Sequence, residues 1–582
     1  MSTSNSNSST AVRATELFEE LLESYDRMPM GLRRYVLFVL VPAGVLFVGT
    51  AAAALAAPLP MLVRVPVALL GVLALGSAVI YPKLQMESRR RGLENQLHLF
   101  ITHMTVLSTT NIDRVEVFRT LAKEKEYGEL ADEMERIVHL VDTWNRSLDE
   151  ACRRRARQVP SKPFADFLER LAYSLNAGQG ISDFLLGEQD AMIQEFATIY
   201  ESTIENTEVM RDLYLSMILS MTFAVVNAVI LPILTGTDAV MTIAAVMVLF
   251  VFVQAGFYYV IRVISPYDPL WFQTDAVRTS ADTRIAVALY GATALTGLFI
   301  LLTAMARLGV LFGPGVQAFV ADQPAPLLVA APLAPLLIPG LVARQVENRI
   351  KDRDDEFPGF IRALGASESA KQSTTTTVLS TLRDKDFGTL SAEVENLYTR
   401  LSMRLDPEQA WFHFTAESSS YLIQKFSEMY LAGRRMGGEP KQLGELISEN
   451  MSEVLQLRQK RKQSTVTLIG VIYGITAASS FTFFIGLKVV DILMGIAEEL
   501  SLAQGSLDLG GKLLYPNVYD VAVIEFELTM IVLFNALLSA LMIRLSDGGH
   551  KANAYLHFVL LTWVGSGIAV GTLELIGVLI SV

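Results

Sequence analysis

The chain has one cysteine, Cys152, so it can form no intrachain disulfide and no cysteine-based metal cluster. Charge is also scarce: Asp, Glu, Lys and Arg make up 19% of 582 residues, where soluble domains carry about 25%. The shortage is local, in charge-free stretches as long as the roughly 20 residues that cross a bilayer. A single soluble domain is therefore excluded. With 38 Gly and 21 Pro, so is a collagen-like or disordered chain. Basic residues number 48 against 60 acids, for a net charge of -12. That balance argues against nucleic acid as a partner.

Motifs of catalysis are missing as well. Gly505–Lys512 is the nearest approach to a phosphate-binding loop, but it has Gly where Lys is required. Gly178-Gln-Gly180 is too short for a dinucleotide fingerprint and reads as a helix–helix turn. None of the six histidines falls in an H-E-x-x-H arrangement, so no zinc hydrolase is supported. The arginines after Cys152 could lower its pKa, but a passive thiol on an exposed helix is the expectation. The sequence thus offers no catalytic, cofactor-binding or metal-ligating set. Any energy must come from a partner.

What is present is apolar. Charge-free runs pair as Tyr35–Val63 with Val65–Pro82, Leu213–Thr237 with Ala239–Ile261, and Ile285–Ala306 with Gln323–Ala343. Ser464–Leu487, Tyr519–Ile543 and Ala554–Val582 follow, the last two containing acids. This predicts an all-α polytopic membrane protein with about nine transmembrane helices. Lys and Arg alternate in the flanks: Arg27, Arg33, Arg34, Lys83, Arg262, Arg278, Arg284, Arg344 and Lys551 lie on one side, and the opposite loops hold Arg64, Arg307 and Lys512. By the positive-inside rule the N-terminus is cytoplasmic and the C-terminus extracellular, in a cell membrane. The late first span, with no basic region opening the chain, predicts no cleaved signal peptide.

The division is then residues 1–34, a disordered and amphipathic N-terminus; 35–82, spans one and two; 83–212, a first cytoplasmic helical domain; 213–264, spans three and four; 265–284, a cytoplasmic loop; 285–343, spans five and six; 344–463, a second helical domain; and 464–582, spans seven to nine. Leu97, Phe100, Ile101, Met104 and Leu107 lie at helical spacing, as do Phe164, Phe167, Leu168, Leu171 and Leu175. Both polar segments read as helical bundles. They also resemble each other. Leu121 to Leu130 with Glu133 and Glu135 parallels Leu382 to Leu390 with Glu393 and Glu395. Further on, Leu148-Asp149 pairs with Leu405-Asp406, and Ala177-Gly178 with Ala432-Gly433. A duplicated unit of bundle plus membrane hairpin is the economical reading.

This layout, with the Leu32–Tyr35 lead-in and the Pro266–Pro269 loop, resembles the archaeal members of the type II secretion F / type IV pilus platform family, the archaellum (archaeal flagellum) branch above all. The resemblance covers Arg33 to Val582 and rests on architecture more than on short motifs. It implies a non-enzymatic platform. A cytoplasmic hexameric ATPase would engage the two domains, and pilin-like (archaellin) subunits would pass from the bilayer into a filament. In an archaellum the same ATPase and other motor components would drive rotation. A platform for a non-motile adhesion pilus is the alternative. A secondary transporter is the alternative of another class, disfavoured by charge-free spans and large polar bundles.

Five groups of residues are candidate sites. Arg153, Arg154, Arg155 and Arg157, with Arg434 and Arg435, lie mid-domain and are expected to dock the ATPase. Arg89, Arg90, Arg91, Lys460, Arg461 and Lys462 flank spans and are expected to anchor them on anionic lipid. Lys488, Asp491, Glu525, Glu527 and Glu574 form a candidate intramembrane polar cluster near the outer leaflet. It would hold either a structural Lys488–Glu pair or a surface for the polar N-terminal region of a pilin-like subunit. The loop Ser265–Phe272 is read as an aromatic belt or as an elbow between the halves. Gly470/Gly474 and Gly567/Gly571 are close-packing faces, within the chain or across a homodimer.

Overall fold

The computed structural model describes residues 32–56, 75, 78, 79, 81, 82, 85, 86, 89–110, 112–266, 268–274, 276, 277, 279–310, 313–372, 374–503 and 519–580. The expected second span, the amphipathic N-terminal segment, Tyr267, Arg278 and the Gly505–Lys512 loop lie mostly or wholly outside these residues. The described residues contain helices and no strand; one isolated β-bridge joins Trp271 and Ser420. Eight helices are long and apolar enough to cross a membrane, and they coincide with the other eight expected spans. The chain is therefore an all-α, multi-pass membrane protein.

After Val41–Ala56 (α1) come Leu97–Ser108 (α2), Arg114–Lys123 (α3), Glu129–Asp142 (α4), Leu148–Ala156 (α5) and Lys162–Asn176 (α6). Ile181–Thr235 (α7) follows, then Ala239–Ile264 (α8), Ser280–Leu308 (α9), Pro314–Ala321 (α10) and Ala325–Ala330 (α11). The second half holds Leu337–Lys371 (α12), Thr375–Leu382 (α13), Ser391–Ser402 (α14), Pro407–Ser418 (α15) and Tyr421–Arg435 (α16). Pro440–Ala503 (α17), Val521–Asp547 (α18) and Asn553–Ile580 (α19) complete it. The chain divides into two compact units, residues 1–189 and 190–582.

In the first unit α2 is buried on every residue. Its sequence is apolar all round, and its Thr102 and Thr105 hydroxyls are satisfied by donating to the carbonyls of His98 and Ile101. Phe118, Met134, Phe164, Phe167 and Leu171 are buried in the same bundle. In the second unit Phe357, Phe360, Leu379, Val394, Trp411, Phe414 and Phe426 are buried in the equivalent core. There α12 and α17 cross at two glycines: a Cβ on Gly365 would meet the Pro440 carbonyl oxygen at 2.3 Å, and one on Gly444 the Ile361 carbonyl at 2.8 Å.

The two bundles repeat element by element. Left-handed backbone recurs at the same joints: Gly128 (φ 53°) and Gly388 (φ 52°), Asn145 (φ 48°) and Arg404 (φ 60°), Gly178 (φ 81°) and Gly437 (φ 84°). The Ser161 and Ser420 hydroxyls cap α6 and α16, accepting from the amides of Phe164 and Ile423. This register corrects the sequence match in its later part. Ser147, not Asp149, stands opposite the N-cap Asp406, and Gly178 answers to Gly437. Gly433 lies within α16. The sequence matched residue types; the joints are set by backbone handedness.

The expected domain edges at Asp212 and Gln463 are not breaks. They fall inside α7 and α17, which have 55 and 64 residues, roughly 80 and 95 Å at the usual helical rise. Along the apolar halves Val225, Val229, Phe250, Phe483, Phe484, Ile531 and Ala569 form one buried cluster, and Tyr214, Leu468, Ile472, Ala540 and Leu561 another.

Candidate functional site

Within the first unit the arginine cluster divides by burial. Glu133 is fully buried on α4 and accepts from Arg89 at 2.8 Å and from Arg155 at 2.7 Å, with Arg136 beside it. Arg89 and Arg155 thus tie the bundle together. Arg153, Arg154 and Arg157 are exposed and have no carboxylate partner among the described residues. An open groove of about 460 Å³, lined by Asp132, Glu135, Arg136, His139, Arg154 and Arg155, lies beside them. Cys152 is fully buried, contrary to the expected exposed helix, and burial pushes its thiol up, away from the reactive thiolate.

The same position in the second unit is Glu393, bonded to Arg353. Burial raises its carboxyl above the ordinary range against the pull of that guanidinium. Arg434 donates to the buried Glu368 at 3.0 Å and to the Gly438 carbonyl at 3.0 Å, and Tyr430 donates to the same carboxylate at 2.9 Å. Arg435 is exposed and pairs with exposed Glu408. Of the two arginines expected to meet a partner, Arg435 is presented to solvent, whereas Arg434 is held by its own bundle.

The expected lipid anchors also separate. Arg90 pairs with Glu94 at 3.0 Å; Arg91 is half-buried. Lys460 is exposed against Glu201, and Lys462 is exposed. Arg461 is 7% exposed and donates to the Ser546 and Leu545 carbonyls at 2.7 and 2.9 Å. It closes the C-terminus of α18 rather than facing lipid, because a guanidinium can satisfy the orphan carbonyls there. Lys488 pairs with Asp491 at 2.6 Å rather than with a glutamate. Glu525 accepts from the Ala325 amide at 2.8 Å; Glu527 is half-buried, one carboxylate oxygen unpartnered; Glu574 is exposed. No bond joins these five into one cluster among the described residues.

A tighter constellation escaped the sequence reading. Arg458, on α17, grips Asp268 of the loop after α8 through both carboxylate oxygens, at 2.9 and 2.6 Å. The same guanidinium reaches the Pro269 carbonyl at 3.0 Å and Asp354 of α12 at 2.9 Å. Asp354 is 1% exposed and also accepts from the Ser420 hydroxyl at the head of α16. Two backbone bonds complete the clamp: the Phe272 amide to the Ser419 carbonyl at 2.9 Å, and the Tyr421 amide to the Leu270 carbonyl at 3.1 Å. The Trp271 ring lies 4.9 Å from His550 in the α18–α19 turn. Glu347 of α12 holds the same turn through the His550 amide and the Asn553 side chain. Burial lowers the His550 imidazole, the nearby Arg544 adding to it. A cavity of about 80 Å³ borders the clamp, lined by Lys351, Asp355, Lys462 and Asp547 among others.

One signal for this clamp is present in the sequence. Ile350, Asp354, Phe357 and Ile361 share a helical face, and an acid on an apolar face needs a buried partner. Which base supplies it could not be read, since Arg458 lies 104 residues away. One guanidinium joins α12, α17 and the loop leaving α8, while the β-bridge adds the α15–α16 junction.

Residues 100–227, most of the first bundle and α7 as far as Asn227, match the family "Type II secretion system (T2SS), protein F". A protein of Methanocaldococcus jannaschii called Flagella accessory protein J is 33% identical over 85% of this chain and 87% of its own length. One of the same name in Methanococcus voltae is 34% identical over 88% of this chain and 90% of its own. No solved structure matches the chain. Identity of this level along nearly the whole length places the chain in the flagella accessory protein J family, within the type II secretion system protein F group.

Proposed function

We propose that the protein is the integral-membrane platform of an archaellum, or archaeal type IV pilus-like, machine. In this reading it is a non-enzymatic scaffold whose two cytoplasmic bundles are engaged by a hexameric secretion ATPase. The ATPase's motion assembles, and in an archaellum rotates, a filament of pilin-like archaellin subunits. The observation that carries the reading is the continuity of α7 and α17, each running from the end of a bundle into an apolar span. A helix of that length carries displacement at its polar end into the membrane without a joint. The clamp at Arg458 supports the expected elbow, because it ties the loop leaving α8 to α17 and to the second bundle.

The charge of the flanking loops supports cytoplasmic bundles and an extracellular C-terminus. Exposed Arg153, Arg154 and Arg157, and Arg435 with its exposed partner Glu408, are the arginines presented to an ATPase, with Arg155 and Arg434 positioning the helices that present them. Lys460 and Lys462 remain available to anionic lipid. The open faces at Gly470, Gly474, Gly567 and Gly571, with nothing within 4 Å of an added Cβ, suit a homodimer. Lys488, Glu527 and Glu574 remain candidates for receiving the pilin-like subunit.

Deletion tests the reading. Loss of swimming with adhesive pili intact is expected; loss of adhesion alone would select the pilus platform, and a solute-uptake defect with filaments intact would select the transporter. Reversal of Arg153, Arg154 and Arg157 to Glu should abolish co-purification of the ATPase while the protein stays in the membrane.

A further inference from the structure

The duplication leaves one joint of the first bundle unpaired. In the second bundle the loop after α8 lies across the α15–α16 junction as a strap. The Phe272 amide donates to the Ser419 carbonyl at 2.9 Å, and the Tyr421 amide donates to the Leu270 carbonyl at 3.1 Å. The groups that receive the strap flank Ser420, the N-cap of α16, whose φ is -96° and ψ 130°. Their counterparts in the first bundle flank Ser161, the N-cap of α6, whose φ is -89° and ψ 120°. Peptide planes are rigid, so these two angles fix how the preceding carbonyl and the following amide point from the capping residue. The Pro160 carbonyl and the Lys162 amide therefore present the same acceptor and donor, and neither has a partner among the described residues. Pro160 stands where Ser419 does, and only its carbonyl is needed.

The strap of the second bundle precedes α9, the first span of its half, and carries Tyr267-Asp268. Ahead of α1 the sequence has Tyr25-Asp26, in residues 1–31, which lie outside the described ones. That dipeptide sets a register and nothing more: Met28, Pro29 and Met30 answer to Leu270, Trp271 and Phe272. The pairing uses the carbonyl of the first and the amide of the third, so the missing amide of Pro29 is no obstacle. Reach is sufficient. Trp271 packs in one cluster with Ile285, at the foot of α9, so the strap lies close to its span. Tyr35 is six residues on from Pro29, a distance of about 20 Å when extended.

The charges agree as well. Residues 15–30 hold five acids, Glu16, Glu19, Glu20, Glu23 and Asp26, and one base, Arg27. Arg157 and Lys162 flank the unpaired joint, with Arg153 one turn before Arg157; all three are exposed and make no ion pair among the described residues. The acids of α5, Asp149 and Glu150, lie at its opposite end, where Glu150 pairs with Arg146 at 2.9 Å. Asp166, a turn beyond Lys162, is exposed and is not paired with it.

We propose that residues 15–30 form an acidic strap whose Met28–Met30 backbone pairs with Pro160–Lys162 of the first bundle, as Leu270–Phe272 pairs with Ser419–Tyr421 of the second. The strap lays its carboxylates over Arg153, Arg157 and Lys162. Any partner that uses those cations, the ATPase included, has to displace it; the strap itself stands without the ATPase reading.

The test uses the full-length protein in lipid nanodiscs with no partner added. Cys152 is fully buried, so engineered cysteines can be read alone. Met28 and Lys162 face each other in the proposed register, at the separation of a cross-strand pair. Met28→Cys with Lys162→Cys should form an intrachain disulfide in most molecules under mild oxidation. Lys123→Cys, exposed on α3 of the same bundle, is the control and should form little with Met28→Cys. Equal yields at the two sites, or a disulfide only between differently isotope-labelled chains, would overturn the strap. Hydrogen exchange covers the case in which the cysteine variants misfold. Deletion of residues 15–30 should speed exchange at the Lys162 amide about tenfold or more and leave the Tyr421 amide unchanged. An unaltered rate at Lys162 would remove the strap.

Discussion

Cys152 and Arg458 show how burial decides the use of a reactive or charged side chain. Cys152 sits among three arginines in sequence, a setting that would activate a thiol in water. In the fold its side chain points inward, and burial, with the Asp149 charge adding to it, holds the thiol protonated. The native protein should therefore resist maleimide at neutral pH, over hours, and react stoichiometrically once denatured; rapid native labelling, read by mass spectrometry, would contradict the packing. At Arg458 the logic reverses. Asp354 is buried at 1% exposure with Arg458 as its cationic partner. Arg458→Gln should cost about 3–5 kcal/mol, seen as a lowered melting temperature and new proteolysis in the loop after α8. Asp354→Asn in that background should recover part of the loss, as an unpaired buried charge is removed.

Glu393 adds a pH dependence. Its carboxyl is raised by burial, so the folded bundle binds that proton more tightly than the unfolded chain does. Its contribution is present below the ordinary carboxylate value and is lost as pH rises through the raised folded value. Denaturation of wild type and Glu393→Gln across that window should show a shallower decline for the variant. The acid itself was legible as one half of a repeated motif. Its burial was not, because its polar sequence neighbours Ser391, Glu395 and Asn396 mask the helical face in a linear reading.

At the scale of elements, helix packing sets limits that composition does not reveal. Gly365 and Gly444 let α12 and α17 approach until backbone touches backbone. Gly365→Ala would drive a methyl group into the Pro440 carbonyl and should destabilise the second bundle by about 1–3 kcal/mol, measured by chemical denaturation. The caps at Ser161 and Ser420 are equivalent, but only Ser420 also bonds the clamp's Asp354. Ser161→Ala should cost about 1 kcal/mol and Ser420→Ala more, the excess disappearing when Asp354 is also replaced by Asn. The helices and their apolar faces could be read from residue spacing, since a period of 3.6 is a local property. The continuation of α7 and α17 from polar to apolar halves could not: a change of composition looks like a boundary, although no breaker interrupts the helix.

For the molecule as a whole, reporter fusions within either bundle should report the cytoplasm and a fusion at the C-terminus the exterior. A cytoplasmic C-terminus would remove one crossing and overturn the proposed topology. By itself the sequence determined the class of protein: charge-free runs cannot dissolve in water, and helical periodicity in the polar segments leaves bundles as their means of burying apolar surface. It also announced the duplication, through local motifs that survive divergence. Only the tertiary structure decided which charges are used internally and which face outward. Pairing depends on side chains brought together from positions as far apart as Asp268 and Arg458, 190 residues. The free energy of such a pair resides in distance and desolvation, and neither quantity exists until the chain has folded.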